Sequence, residues 1–92
     1  MKNKSRLRLT LLSRSWCHLC DDMRLALEPL AALRAFDLQI VDVDSDPALE
    51  RRYGEEIPVL LAGEHELCRH RFDAARVNAF LAQHASASAL PG

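Results

Sequence analysis

Leu7, Leu9 and Leu11 alternate with Arg8 and Thr10 along Arg6 to Leu12, before a second consecutive apolar residue, Leu12, closes the run. A period of two is the mark of a strand with one face on a core. The period then lengthens. Met23, Leu27, Leu30 and Ala31 recur at spacings of four and three, with Ala26 and Leu33 widening the stripe, which predicts a helix from about Cys17 to Ala35. Pro29 inside it removes the backbone bond to the Leu25 carbonyl, so a kink or an early end is expected near Glu28. Phe36 to Val43 returns to strand, with Leu38 and Ile40 on one face and Val41 and Val43 on the other, the pattern of a strand covered on both sides. Asp46 to Gly54 has an N-cap residue, a proline at the first helical position and a glycine past the end, and reads as a short helix.

Ile57 to Ala62 is a buried-strand pattern, Gly63-Glu64 fits a type II′ turn, and His65 to Arg69 returns as a shorter strand. Asp73 caps a last helix whose apolar face is Val77, Phe80 and Leu81, with His84 at its margin. Ala85 to Gly92 has no side chains to hold it on a core and is expected to fray. The order is βαβαββα: an α/β domain over residues 1–84 with a four-stranded mixed sheet flanked by helices. The crossover makes the first two strands parallel, and the tight turn at Gly63 makes the last two antiparallel.

At 92 residues, 49% apolar and 27% charged, the chain makes one soluble globular domain. A domain this small buries roughly 60 to 65% of the surface of its unfolded chain, which leaves no interior for a large cofactor. None is expected, and the functional site should be small and near the surface. Twelve basic against 13 acidic residues give a net charge of -1, so neither nucleic acid nor a membrane is an expected partner. Lys2, Lys4, Arg6, Arg8 and Arg14 read as a solvated N-terminal arm. The apolar run Leu9 to Leu12 is too short for a signal-peptide core, and no stretch approaches the roughly 20 apolar residues of a membrane span, which points to the cytoplasm.

Three cysteines do not suit the even disulfide framework of a small secreted domain. Cys17 and Cys20 are spaced C-x-x-C, and a bridge between them closes a loop worth only about 2 kcal/mol in the chain-entropy model, against about 4 for a loop of about fifty residues. The pair is a poor staple, which turns the reading toward chemistry. It falls where the first strand passes into the first helix, so the Cys17 sulfur meets unpaired backbone N–H groups that favour thiolate. An ordinary thiol is only about 3% ionised at neutral pH, whereas pairs of this kind have pKa values lowered to roughly 3.5 to 7.5. Cys17 is then the attacking thiol and Cys20, one turn further in, the resolving one. His18, when protonated, would stabilise the Cys17 thiolate, or else it simply faces solvent; Asp21 and Asp22 suit the helix dipole and oppose the thiolate. Trp16 reads either as an apolar ledge beside the pair or as a core residue.

Trp16-Cys17-His18-Leu19-Cys20 after a strand, followed by Ile57-Pro58 before the third strand, resembles the thioredoxin-like superfamily, and within it the glutaredoxin-like small proteins. The resemblance covers about residues 7–84 and implies a cis Pro58 packed on the two sulfurs, with the Ile57 backbone free to pair with a bound substrate. It implies a monomeric thiol-disulfide oxidoreductase with Cys17 and Cys20 as catalytic residues. Trp16, His18, Ile57 and Pro58 would hold the substrate, and the partner would be a disulfide-containing protein or glutathione as co-substrate. The stretch Leu67 to Asp73 has the acidic helix cap of glutaredoxins without their paired glycines, and Leu11 stands where thioredoxins have a buried acid. Two other readings use the same residues: a zinc site made of Cys17, Cys20, Cys68 and His70, and a redox-inactive binding module that presents the Ile57-Pro58 edge. Cys68 itself reads as a small buried residue of the fourth strand.

Overall fold

The alternation of the first segment becomes strand β1, Arg8–Ser13, in which Leu9, Leu11 and Leu12 are buried. A computed structural model describes residues 7–89 of the chain, with side chains through residue 84. After β1 come α1 (His18–Arg34), β2 (Asp37–Asp42), a 3-10 turn (Val43–Ser45), α2 (Pro47–Tyr53), β3 (Val59–Ala62), β4 (His65–Arg69) and α3 (Ala74–Ala89). The sheet has four strands in the order β2-β1-β3-β4. β1 pairs parallel with β2 and antiparallel with β3, and β3 pairs antiparallel with β4. The predicted βαβαββα order and mixed sheet are both present.

Two apolar clusters divide the molecule into layers. Leu9, Leu11 and Leu60 from the sheet meet Met23 and Leu27 of α1 and Val77 and Leu81 of α3. On the opposite face Leu12, Val59 and Leu61 meet Val43, with Leu49 and Tyr53 of α2 packed against them. Consecutive residues of a strand point to opposite faces, so the two-sided sheet needs unbroken apolar runs such as Val59 to Leu61. In β4 the register slips between the partners of Leu60 and Leu61, leaving Leu67 as an extra residue. This bulge breaks the alternation and lets the neighbours Leu67 and Cys68 both be buried.

Several local expectations hold for the expected physical reason. The Asp46 side chain accepts the Ala48 N–H at 2.9 Å, and the Asp73 carboxylate accepts the Arg76 N–H at 3.0 Å. Gly63 has φ of 64°, the left-handed value that the first central residue of a type II′ turn requires. Others are corrected. Of the two outcomes expected at Pro29, the early end is excluded, since helix α1 runs through it to Arg34. Proline removes only one bond there, while Met23 and Leu27 before Pro29 and Leu30 and Ala31 after it pack on the same core.

Ile40 is exposed, although its strand was expected to be covered on both sides, because β2 is an outer strand of the sheet. Gly54 ends α2 with ordinary right-handed angles. Its glycine is explained by space: a Cβ would lie 2.5 Å from the Glu50 carbonyl oxygen and 2.6 Å from Glu50 Oε2. The last helix continues to Ala89, past its predicted end at His84, through a stretch that alternates serine with alanine, the best helix former. The arm residues Lys2, Lys4 and Arg6, and the end of the tail at residues 90–92, lie outside the described residues.

Leu60 is a fully buried member of the larger cluster, whereas Leu33 faces solvent. We expect Leu60→Ala to cost about 2 to 5 kcal/mol and Leu33→Ala to change stability by less than about 0.5, as read from urea unfolding midpoints. Equal costs would mean that the layers are wrongly assigned.

Candidate active site

Strand β1 delivers the chain to one end of the sheet at Ser13, and three residues later it reverses into α1. Cys17 caps the helix with extended angles, φ −112° and ψ 106°. Its carbonyl accepts the Asp21 N–H at 3.1 Å, and its Sγ accepts the Cys20 N–H at 3.2 Å. Sulfur therefore takes the place that a serine or aspartate oxygen takes in most helix caps. Cys17 and Cys20 are joined by a disulfide, their Cα atoms 5.2 Å apart. They differ in access: Cys17 is half-buried, while Cys20 is 2% exposed. The helix turn that brings the sulfurs together also sorts them into an outer and an inner thiol.

The neighbours of the pair are placed unequally. Trp16 is 99% exposed, which removes the core reading of this residue, and it adopts φ of 64°, a left-handed value unusual for a large side chain. His18 is exposed and Leu19 is 47% exposed. The Ile57–Pro58 peptide bond is cis. Pro58 is buried just before Val59, which pairs with Leu12 near the end of β1, so the proline lies at the same sheet end as the disulfide. Its carbonyl accepts the His70 N–H at 2.7 Å. Ile57 turns its side chain toward the α2 layer.

The chain after β4 also comes to this sheet end. His70, Arg71 and Phe72 form one wall of a groove of about 320 Å³, and Leu19, Asp22 and Met23 of α1 form the other. Sequence reading assigned no site role to Arg71 and Phe72. The signal was present in the topology, because β4 runs parallel to β1 across the antiparallel β3 and must end beside Cys17. Nearby, Arg69 bridges Glu66 at 2.6 Å and Glu56 at 2.7 Å, and His70 lies 3.4 Å from Glu56. The Arg69 guanidinium holds the Glu66 carboxyl below its ordinary range.

Arg14 is not part of a solvated arm. Its guanidinium bonds both carboxylate oxygens of Asp44 at 3.0 Å. This bidentate contact fixes the loop before Cys17 to the layer beneath it.

The zinc set is not assembled. Cys68 belongs to the core cluster with Leu60 and Leu67, whereas His70 is exposed beyond the end of β4. Among the described residues no three His, Cys, Asp or Glu side chains converge as a metal site. Burial pushes the Cys68 thiol above its ordinary range, which favours its protonated form over the thiolate that binds metal.

The model of the glutaredoxin-like domain (DUF836) matches residues 8–82. The chain belongs to this glutaredoxin-like family. Among solved structures, it is similar to protein Ne2328 from Nitrosomonas europaea, at 31% identity and a TM-score of 0.73, covering 82% of this chain and 91% of that one. A structural-genomics target protein from X. campestris is 43% identical with a TM-score of 0.61, covering 82% and 96% of the two chains. Thioredoxin 1 from Thermosipho africanus, 18% identical over 89% of this chain and 98% of its own, has a TM-score of 0.65. That likeness shows the fold alone: this glutaredoxin-like domain is thioredoxin-like. No functionally curated protein matches the chain. Among the described residues, no helix is long and apolar enough to cross a membrane.

The three thiols should separate by accessibility. After reduction, iodoacetamide at about pH 8.5, where an ordinary thiol is half ionised, should modify Cys17 readily and leave Cys20 and Cys68 protected until urea is added. Peptide mass mapping reads this directly. Prompt labelling of Cys68 in the folded protein would contradict its burial.

Proposed function

We propose that this glutaredoxin-like domain is a thiol-disulfide oxidoreductase. The observation that carries the reading is the asymmetric pair at the helix start: a half-buried Cys17, its sulfur against a backbone N–H, bonded to a buried Cys20. In the reduced protein the Cys17 thiolate attacks one sulfur of a substrate disulfide. A mixed disulfide forms and the first substrate thiolate leaves. The Cys20 thiolate then attacks the Cys17 sulfur, the second substrate thiol is released, and the Cys17–Cys20 bond forms. Two electrons pass from the protein to the substrate, and an external thiol returns them.

The helix start supports the first step. Unpaired N–H groups and the positive end of the helix dipole lower the energy of the attacking thiolate without any cofactor. Burial of Cys20 favours the second step, because its sulfur is held one helical turn from Cys17 and hidden from competing thiols. The substrate is a disulfide-containing protein or glutathione, docking between the exposed Trp16 and Leu19 on one side and the Ile57-Pro58 segment on the other. The redox-inactive reading has less support, since a module that only presents an edge has no need for a paired outer and inner thiol.

Turnover of a low-molecular-weight disulfide by the variants tests the assignment. Cys17→Ser should lose activity to background. Cys20→Ser should instead stall as a mixed disulfide on Cys17, seen as a mass adduct, with a glutathione adduct identifying glutathione as substrate. Full turnover by Cys17→Ser would refute the mechanism.

A further inference from the structure

Trp16 poses a mechanical question. Its backbone has φ of 64°, and its indole is almost wholly in solvent, so the side chain has no packing with which to hold that conformation. The hold must come from either side. Downstream, Cys17 is tied into the start of α1 by its carbonyl and its sulfur. Upstream stands Arg14, two residues before the tryptophan.

Arg14 reaches three parts of the α2 layer at once. Its Nε and Nη2 meet Asp44 Oδ2 and Oδ1 at 3.0 Å each, its Nη2 meets Glu50 Oε2 at 3.4 Å, and its Nη1 donates to the Gly54 carbonyl at 3.4 Å. Asp44 lies in the 3-10 turn, Glu50 within α2, and Gly54 at its end. The glycine belongs to the same arrangement. A Cβ at residue 54 would fall 2.6 Å from Glu50 Oε2, the oxygen that Arg14 uses.

We propose that Arg14 is a positioning residue for Cys17: by clamping the loop to Asp44, Glu50 and Gly54 it holds the strained Trp16 turn and so keeps the Cys17 sulfur over the N–H of Cys20. The inference rests on the redox role of Cys17. It assigns to the α2 layer, which contributes no group to the sulfurs themselves, control over the reactivity of the outer thiol. Without the clamp the turn relaxes, the sulfur leaves the helix start, and the thiolate loses the N–H groups that stabilise it.

The test is the alkylation rate of Cys17 in reduced protein at about pH 6, with the site located by peptide mass mapping. It compares wild type, Arg14→Ala, Arg14→Lys and Val77→Ala. His18, Asp21 and Asp22 in the first turn of α1 are unchanged in every variant. Arg14→Ala should slow Cys17 by about three- to tenfold, the effect of a thiol pKa raised by about half to one unit. Arg14→Lys, which retains the charge but not the bidentate fork, should restore only part of the rate. Val77→Ala loosens the core on the opposite face of the sheet from the clamp and should leave the rate unchanged. A wild-type rate in Arg14→Ala, or equal slowing in Val77→Ala, would overturn the proposal. Cys17 labelling needs no turnover, so a failed clamp and a failed redox assignment give different results: the first leaves Cys17 equally fast in Arg14→Ala, the second leaves wild type unable to reduce any disulfide.

Discussion

The hydrogen bond from the Cys20 N–H to the Cys17 sulfur joins the fold to the chemistry. A helix start leaves backbone donors without partners, and here the group that satisfies one of them is the atom that would carry negative charge in a disulfide exchange. In the proposed function, the cap and the attacking nucleophile are therefore the same structural device. The second cysteine follows from helix geometry, because a residue three positions on lies one turn away and on the buried side.

The rest of the architecture brings other groups to this point. Parallel pairing of β1 and β2 sends the first crossover over the sheet and leaves the β1-α1 junction at one end. The antiparallel β3 starts at that end, so Pro58 is delivered there, and β4 finishes there, delivering His70 to Phe72. The α2 layer contributes from below through Asp44, Glu50 and Gly54, which fasten the loop before Cys17. The two faces of the sheet thus contribute differently, since α1 carries the sulfurs and the α2 layer holds Arg14 in the loop that leads to them.

Much of this was legible in the sequence, since period-two and helical spacings map directly onto strand and helix faces, and the caps at Asp46 and Asp73 depend on adjacent residues only. The Cys17 cap was legible too, because C-x-x-C lay at a predicted junction. Features that depend on distant partners were not. Arg14 looked like one more solvated arginine, and its partners lie thirty or more positions away. The bulge that buries both Leu67 and Cys68 is a property of strand pairing and leaves no mark in the spacing of β4 itself. Exposure of Ile40 follows from the position of β2 at the sheet edge, and an apolar run in isolation does not reveal which strand has no outer neighbour. The zinc reading failed for the same reason: His70 and Cys68 are close in sequence, but one belongs to the sheet end and the other to the core.

The central claim is that Cys17 and Cys20 form a reversible redox couple. Equilibrating the protein in graded series of oxidised and reduced glutathione and of oxidised and reduced dithiothreitol, which together span the potentials of known C-x-x-C pairs, with quenching by alkylation and counting of free thiols by mass, measures this directly. A single transition with two-electron steepness, tenfold in the equilibrium per about 30 mV, confined to Cys17 and Cys20 while Cys68 stays reduced throughout, is the predicted result. A pair that remains either reduced or oxidised across the whole series, or a transition that recruits Cys68, would contradict the account.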